Sequence, residues 1–262
     1  MPEEETKMAA VLTQRQNALA IVTLNRPERR NGVTLGMCTR LYDALGEIAA
    51  SDARVVILRG AGNDFCVGAD IGGASEGEPE ARPSGFDDQG PIYQASLLLH
   101  TMPQVTVAAI DGGCAGAGMG WAAACDFRFA TPEARFSTAF LNVGVSGDMG
   151  LGWSLNCILG GARARELLFF PSKLTGEDAL ALGFVTRLFP RASLHDEVGK
   201  LAGQLCARDP LALGLMKANA VSAETLSFDD YIEIETARHL RCTNRPDFGE
   251  RMAGLFAKSQ AQ

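Results

Sequence analysis

Val105-Thr106-Val107-Ala108-Ala109-Ile110-Asp111-Gly112-Gly113-Cys114-Ala115-Gly116-Ala117-Gly118-Met119-Gly120 is the stretch on which the reading of the fold turns. An unbroken apolar run leads into a turn of small side chains, and a helix of small residues follows. A short apolar run bounded by glycine marks a strand covered on both faces. The small side chains also let a ligand approach the backbone and leave N–H groups free to donate. Where such a turn opens a helix, those N–H groups carry the positive end of its dipole, which suits developing negative charge. A G-x-G-x-x-G dinucleotide site is the obvious rival. No acidic ribose ligand follows a second strand at the right place, which speaks against it.

Upstream the pattern repeats. Arg54-Val55-Val56-Ile57-Leu58-Arg59-Gly60 is a second buried strand, and the glycine turn Phe65-Cys66-Val67-Gly68-Ala69-Asp70-Ile71 follows it. Residues about 8–24 hold two strand candidates, the clearer being Leu19–Leu24. An amphipathic helix is predicted over about 34–50, with Cys38, Leu41, Leu45 and Ile48 at helical spacing. Strands alternating with covering helices predict an α/β fold with sheets buried on both faces.

Downstream of about residue 148 the pattern is helical. Thr175-Gly176-Glu177-Asp178 reads as a capping box, and Gly183 as a helix stop before a short strand, Phe184–Leu188. Asp209-Pro210 and Ser227 open further helices. The expected division is a core over 1–190 and a helical subdomain over 191–262. Trp121 and Trp153 are assigned to core packing, and His195 and His239 to the surface or an interface. Gly72 to Gly90, rich in Gly, Pro, Ser, Glu and Asp, reads as a mobile loop, either a pocket lid or a solvated insertion.

A chain of 262 residues, 47% hydrophobic and 21% charged, can bury a sizeable core. Its formal charge of −7 argues against nucleic acid, since no excess of Lys and Arg is present to neutralise phosphates. Seven scattered cysteines without C-x-x-C spacing read as small buried hydrophobes in a reducing compartment. Only three histidines occur, and no His/Cys cluster has zinc spacing, so no metal is expected. The acidic start Met1-Pro2-Glu3-Glu4-Glu5 is neither a signal nor a transit peptide, and no apolar run is long enough for a bilayer. The expectation is a cytoplasmic protein without a membrane partner.

The motifs together are more specific than each alone. Asn25-Arg26-Pro27-Glu28-Arg29-Arg30-Asn31-Gly32, then Phe65–Ile71, then Ala108–Asp126 resemble the enoyl-CoA hydratase/isomerase (crotonase) family in order and spacing. The likeness runs on through Leu174–Ala179 and Gly183-Phe184-Val185 to Asp247-Phe248-Gly249-Glu250, covering about residues 8–258. It implies a spiral of ββα units with a C-terminal helical region that builds trimers and often hexamers, as dimers of trimers. It implies an acyl-CoA thioester as substrate, with coenzyme A part of that substrate and no separate cofactor. By the same resemblance, the N–H groups of Ala69 and Ala117 form an oxyanion hole, with alanine at 117 where many members have glycine. Coenzyme A is expected across Arg26, Arg30 and the backbone of Gly68, Asp70, Ile71 and Gly116. Lys258 of a neighbouring subunit is expected to reach its phosphates. Leu255 stands where the family often has an aromatic residue.

Hydratases of the family use two glutamates, and the matching positions here are Gly120 and Phe140, neither of which can transfer a proton. Phe140 is left as a candidate lining residue. Asp148, in Gly144-Val145-Ser146-Gly147-Asp148-Met149-Gly150, matches the single acid of the Δ3-Δ2-enoyl-CoA isomerase branch. A carboxylate in an apolar pocket is a stronger base than in water. Asp148 could instead simply cap the following helix. A matching aspartate also serves a 4-chlorobenzoyl-CoA dehalogenase, which needs a histidine base as well, and dihydroxynaphthoyl-CoA synthase. For that histidine His100 falls at the wrong place, with Tyr93 nearer. Glu76, Glu78, Glu80, Asp87 and Asp88 of the loop are further candidate acids. The leading expectation is an isomerase using Asp148. A hydratase or other crotonase-type lyase, and a non-catalytic acyl-CoA-binding member, remain alternatives.

Overall fold

The computed structural model describes residues 9–70 and 90–259. Ile71 and the acidic loop residues through Asp88 lie outside the described residues, and so does the side chain of Lys258. Two compact units divide between Ala207 and Arg208.

In the first unit, β1 (Val11–Gln16) and β2 (Leu19–Leu24) form an antiparallel hairpin. β3 (Val55–Gly60), β4 (Val105–Ile110), β6 (Phe127–Ala130) and β9 (Arg187–Leu188) add to it in parallel, giving the order β1-β2-β3-β4-β6-β9. A second sheet holds β5 (Gly113–Ala115), β7 (Arg135–Ser137) and β8 (Leu174–Thr175). Isolated bridges pair Cys66 with Cys114 and Val33 with Ala69 in the same region.

The period of two in the strands assigns the two faces of the large sheet. Ala20, Val22, Leu24, Val56, Leu58, Ala108 and Ile110 belong to one core with Met37, Leu41 and Leu45 of α1 (Leu35–Ala49). That core takes in Ala95 and Leu99 of α2 (Gly90–Thr101) and Trp121 of α3 (Ala117–Ala124). Ile21, Ile57, Val107, Ala109 and Phe129 alternate with them and are also buried. A helix over Leu194–Cys206 packs on the same strands and buries Leu194, Val198 and Ala202. The expected boundary at residue 190 is therefore placed later, because this helix spends its apolar face on the sheet.

α4 (Leu151–Phe169) is interrupted at Gly160 (φ 75°, ψ 158°). α5 (Gly176–Leu182) starts at the capping box: Thr175 Oγ1 accepts from the Asp178 N–H, and the Asp178 carboxylate accepts from the Thr175 N–H. Gly183 stops α5 in the left-handed region at φ 89°. The strand expected over Phe184–Leu188 shrinks to Arg187–Leu188, because the N–H groups of Phe184 and Val185 turn back to the Ala179 carbonyl. The Leu194–Cys206 helix is α6. Core packing is right for Trp121 and wrong for Trp153, which is 48% exposed and stands edge-on to His100, centroids 5.1 Å apart. Cys38, Cys66, Cys114 and Cys125 are buried, but Cys157 is exposed.

The second unit holds α7 (Pro210–Ala223), α8 (Phe228–Thr243) and α9 (Phe248–Ser259). Asp209 caps α7 by accepting from the Ala212 N–H and pairs with Arg245 and Arg251, both of which also reach Asp247.

Candidate active site

The site is assembled from the loops that follow β2, β3 and β4. Asn31, fully buried at φ 55°, stitches the first two loops together. Its Oδ1 accepts from the Arg26 N–H, and its Nδ2 donates to the carbonyls of Ala61 (2.9 Å) and Asp64 (2.7 Å). Asp64 joins in the third loop by accepting from the Gly113 N–H at 2.6 Å and from Arg30 at 2.8 and 3.0 Å. Hydrogen bonding from Arg30, reinforced by the Gly113 N–H, holds the Asp64 carboxyl below its ordinary range.

Ala69 and Ala117 stand at the meeting point of two of these loops. In the bridge to Val33, the Val33 N–H donates to the Gly68 carbonyl and the Asp70 N–H to the Val33 carbonyl. The Ala69 N–H between them points the other way, since successive strand amides alternate in direction. Ala117 is the first residue of α3, where helix amides have no internal acceptor. Gly68 (φ 91°) and Gly116 (φ 49°) precede the two alanines, and both need the left-handed backbone that glycine adopts freely. Beneath them Cys66 lies fully buried against Gly118, its thiol pushed up to about 12, chiefly by burial, which makes it inert.

Asp148 lies in the segment between the Phe140–Val143 turn and α4. Its Oδ1 is buried without a hydrogen-bond partner, and burial raises its carboxyl above the ordinary 3.8. It does not cap α4 with its side chain: Gly150 is the N-cap, and only the Asp148 backbone carbonyl accepts, from the Leu151 N–H. Phe140, in a 3₁₀ turn over Phe140–Val143, is buried. Its ring lies 3.8 Å from where a Gly116 Cβ would stand and 3.7 Å from where a Gly147 Cβ would stand. The ring therefore bridges the Gly116 turn and the Asp148 segment.

The arginines are placed differently from the simplest expectation of open cations. Arg26 pairs with Asp70 at 2.7 Å and donates to the Gly32 carbonyl. Arg29, not anticipated, pairs with the same carboxylate at 2.6 Å, and Asp70 is left with a side chain only 6% exposed. Arg30 pairs with Asp64 and keeps a 64% exposed side chain. Asn31 and Asp64 were also missed. A carboxylate directly before Phe65, within reach of a basic loop, was the one signal available for them. Tyr93 is partly exposed, and His100 is engaged with Trp153. His195 lines a cavity of about 450 Å³ between α6 and the sheet, with Arg59 and Ile57. Partial burial and then Arg59 push its imidazole below its ordinary value.

This two-sheet scaffold with its paired glycine turns defines an α/β enzyme of the crotonase fold. The family profile for enoyl-CoA hydratase/isomerase matches residues 14–261, and the chain belongs to that family. It is 29% identical to the 1,2-epoxyphenylacetyl-CoA isomerase of Escherichia coli (strain K12), over 97% of this chain and 98% of that protein. It is 30% identical to the mitochondrial Δ(3,5)-Δ(2,4)-dienoyl-CoA isomerase of Rattus norvegicus, over 96% of this chain and 80% of that protein. A Thermobifida fusca YX protein solved in complex with acetoacetyl-CoA superposes with a TM-score of 0.83 at 26% identity, over 91% of this chain and 96% of the other.

Proposed function

We propose that the protein isomerises 3-enoyl-CoA thioesters to 2-enoyl-CoA thioesters, with Asp148 as the single proton shuttle. In this reading the Asp148 carboxylate removes a proton from C2 of the substrate. The electron pair moves onto the thioester oxygen as a dienolate, which accepts hydrogen bonds from the N–H groups of Ala69 and Ala117. Collapse of the dienolate moves the double bond to C2–C3, and Asp148 returns its proton to C4. A well-placed oxyanion donor stabilises such a state by about 2.7–4 kcal/mol. Coenzyme A runs along the backbone of Gly68 to Ile71 and past Gly116, near Arg26 and Arg30, and Lys258 of a neighbouring copy meets its phosphates.

The observation that carries the reading is the buried Asp148 oxygen with no partner. Structural carboxylates are satisfied, whereas a base is left free for a substrate proton. Gly120 and Phe140 offer no carboxylate for the paired-glutamate hydratase route. A second reading, isomerisation of a ring-bearing acyl group, is favoured by the Phe140 ring between Gly116 and Gly147, and the E. coli relative is named for such a substrate.

The test is to incubate the protein with 3-hexenoyl-CoA, crotonyl-CoA and 1,2-epoxyphenylacetyl-CoA and follow the products. Isomerisation of the first, lost in Asp148→Asn, supports the reading. Turnover of the third alone favours the ring-bearing substrate. Hydration of the second with nothing from the other two overturns both.

We also infer a trimer or a dimer of trimers. Leu141, Val143 and Val145 in the first unit and Met216 and Phe228 in the second are exposed apolar residues that association would cover. Light scattering should give a mass of three or six times 27.8 kDa.

A further inference from the structure

Residues 144–150 hold an unusual backbone. Gly144 (φ 74°), Gly147 (φ 120°) and Gly150 (φ 71°) are in the left-handed region, and so is Met149 (φ 50°), the one residue of the four with a side chain. A glycine would adopt that conformation freely, so the methionine side chain is placed there against a conformational preference. Met149 is 4% exposed, and its Cβ lies over Gly120 of α3. A Cβ added at Gly120 would fall 2.6 Å from the Met149 Cβ, so α3 is bare at this position and Met149 fills the space above it. Its neighbour in sequence is Asp148, whose Oδ1 is buried and has no hydrogen-bond partner. A thioether has no hydrogen to donate to a carboxylate oxygen, whereas a water molecule has two.

We propose that Met149 determines which reaction follows at this site, by occupying the space beside Asp148 and Gly120 that an attacking water would need. The proposal rests on the reading of Asp148 as the acid-base group. With a 2-enoyl thioester bound, hydration would require a water next to the carboxylate. Asp148 would take a proton from that water as its oxygen bonds to C3, the C2–C3 electron pair would move onto the thioester oxygen, and Asp148 would then protonate C2. Carboxylate and oxyanion turns are both in place for this addition. The seat for the water is taken by the methionine, so the enolate is reprotonated on carbon and the double bond moves instead.

The experiment compares wild type, Met149→Gly and Met149→Leu on crotonyl-CoA and on 3-hexenoyl-CoA in ¹⁸O-labelled water, with products separated by mass. Glycine accepts the left-handed backbone, so the loop keeps its path while the space opens; leucine keeps it filled. The readout on 3-hexenoyl-CoA is the ratio of ¹⁸O-hydroxyacyl-CoA to isomerised product, which a general loss of folding does not change. On crotonyl-CoA it is the appearance of the labelled hydroxyacyl product alone. Met149→Gly is expected to raise hydration by at least about tenfold, equivalent to ~1.4 kcal/mol of barrier, with Met149→Leu at the wild-type level. Hydration that stays at the wild-type level in Met149→Gly on both substrates overturns the proposal. Wild type that fails to isomerise 3-hexenoyl-CoA overturns the isomerase reading separately, and the crotonyl-CoA arm still decides the role of Met149.

Discussion

The Cα of Gly68 lies 3.7 Å from the position a Cβ on Gly116 would occupy, so the two turns that present Ala69 and Ala117 touch through their glycines. The contact fixes one amide relative to the other without any side chain between them. Preorganised donors of this kind need no rearrangement when charge develops on a bound carbonyl.

Ala117→Pro tests that relationship with little harm to the fold. Proline is tolerated at the first position of a helix, and the substitution deletes only the N–H in question. The expected outcome is a loss of about 10²–10³ in kcat, with an unchanged circular dichroism spectrum. Activity within a few-fold of wild type would remove Ala117 from the oxyanion role.

Asp148 gives a prediction in pH. Its folded-state value lies above the ordinary 3.8 because burial disfavours the charge. The isomerase rate should fall as pH drops through that raised value, since the base must be ionised. The stability effect has the opposite sense. Between the unfolded and folded values the native state binds more protons, so wild-type stability declines as pH rises through the window. Asp148→Asn lacks this penalty and should melt higher than wild type above the window, with the advantage gone below it. Activity should fall by about 10²–10⁴ in the same variant. Paired melting curves and pH–rate profiles check both.

Asp70 and Arg30 separate a buried pairing from an exposed one. Asp70→Asn leaves Arg26 and Arg29 facing a neutral amide, and a destabilisation of about 1–3 kcal/mol is expected. Arg30→Gln removes an ion pair whose arginine is mostly exposed, and the expected change is about 0–1 kcal/mol. Urea midpoints of the two variants should differ accordingly.

Thr175→Ala breaks the reciprocal capping box of α5 and should cost about 0.5–2 kcal/mol. The change should leave the substrate affinity untouched, because α5 carries none of the proposed site residues.

Much of the site was legible as local pattern. The buried strands 55–60 and 105–110, the glycine turns after them and the capping box at Thr175 depend on neighbours within a few residues, and each was found where it was expected. Trp153 was misjudged because an apolar helical stretch does not say which of its faces meets the core. The strand over Phe184–Leu188 was overextended because its β-prone residues are diverted by hydrogen bonds to Ala179. Arg29, Asp64 and Asn31 were missed because their importance lies in partners 33 to 49 residues away.

The sequence by itself determined the α/β class and the family, since these follow from motifs of fixed residue identity, order and spacing. Only the tertiary structure decided that Asp148 keeps a buried oxygen without a partner and does not cap the helix with its side chain, that Asp70 holds two arginines, and that Met149 lies over Gly120. Each of those depends on which groups from distant segments meet in a dry interior, where an unsatisfied carboxylate or a missing Cβ has consequences that water would otherwise erase.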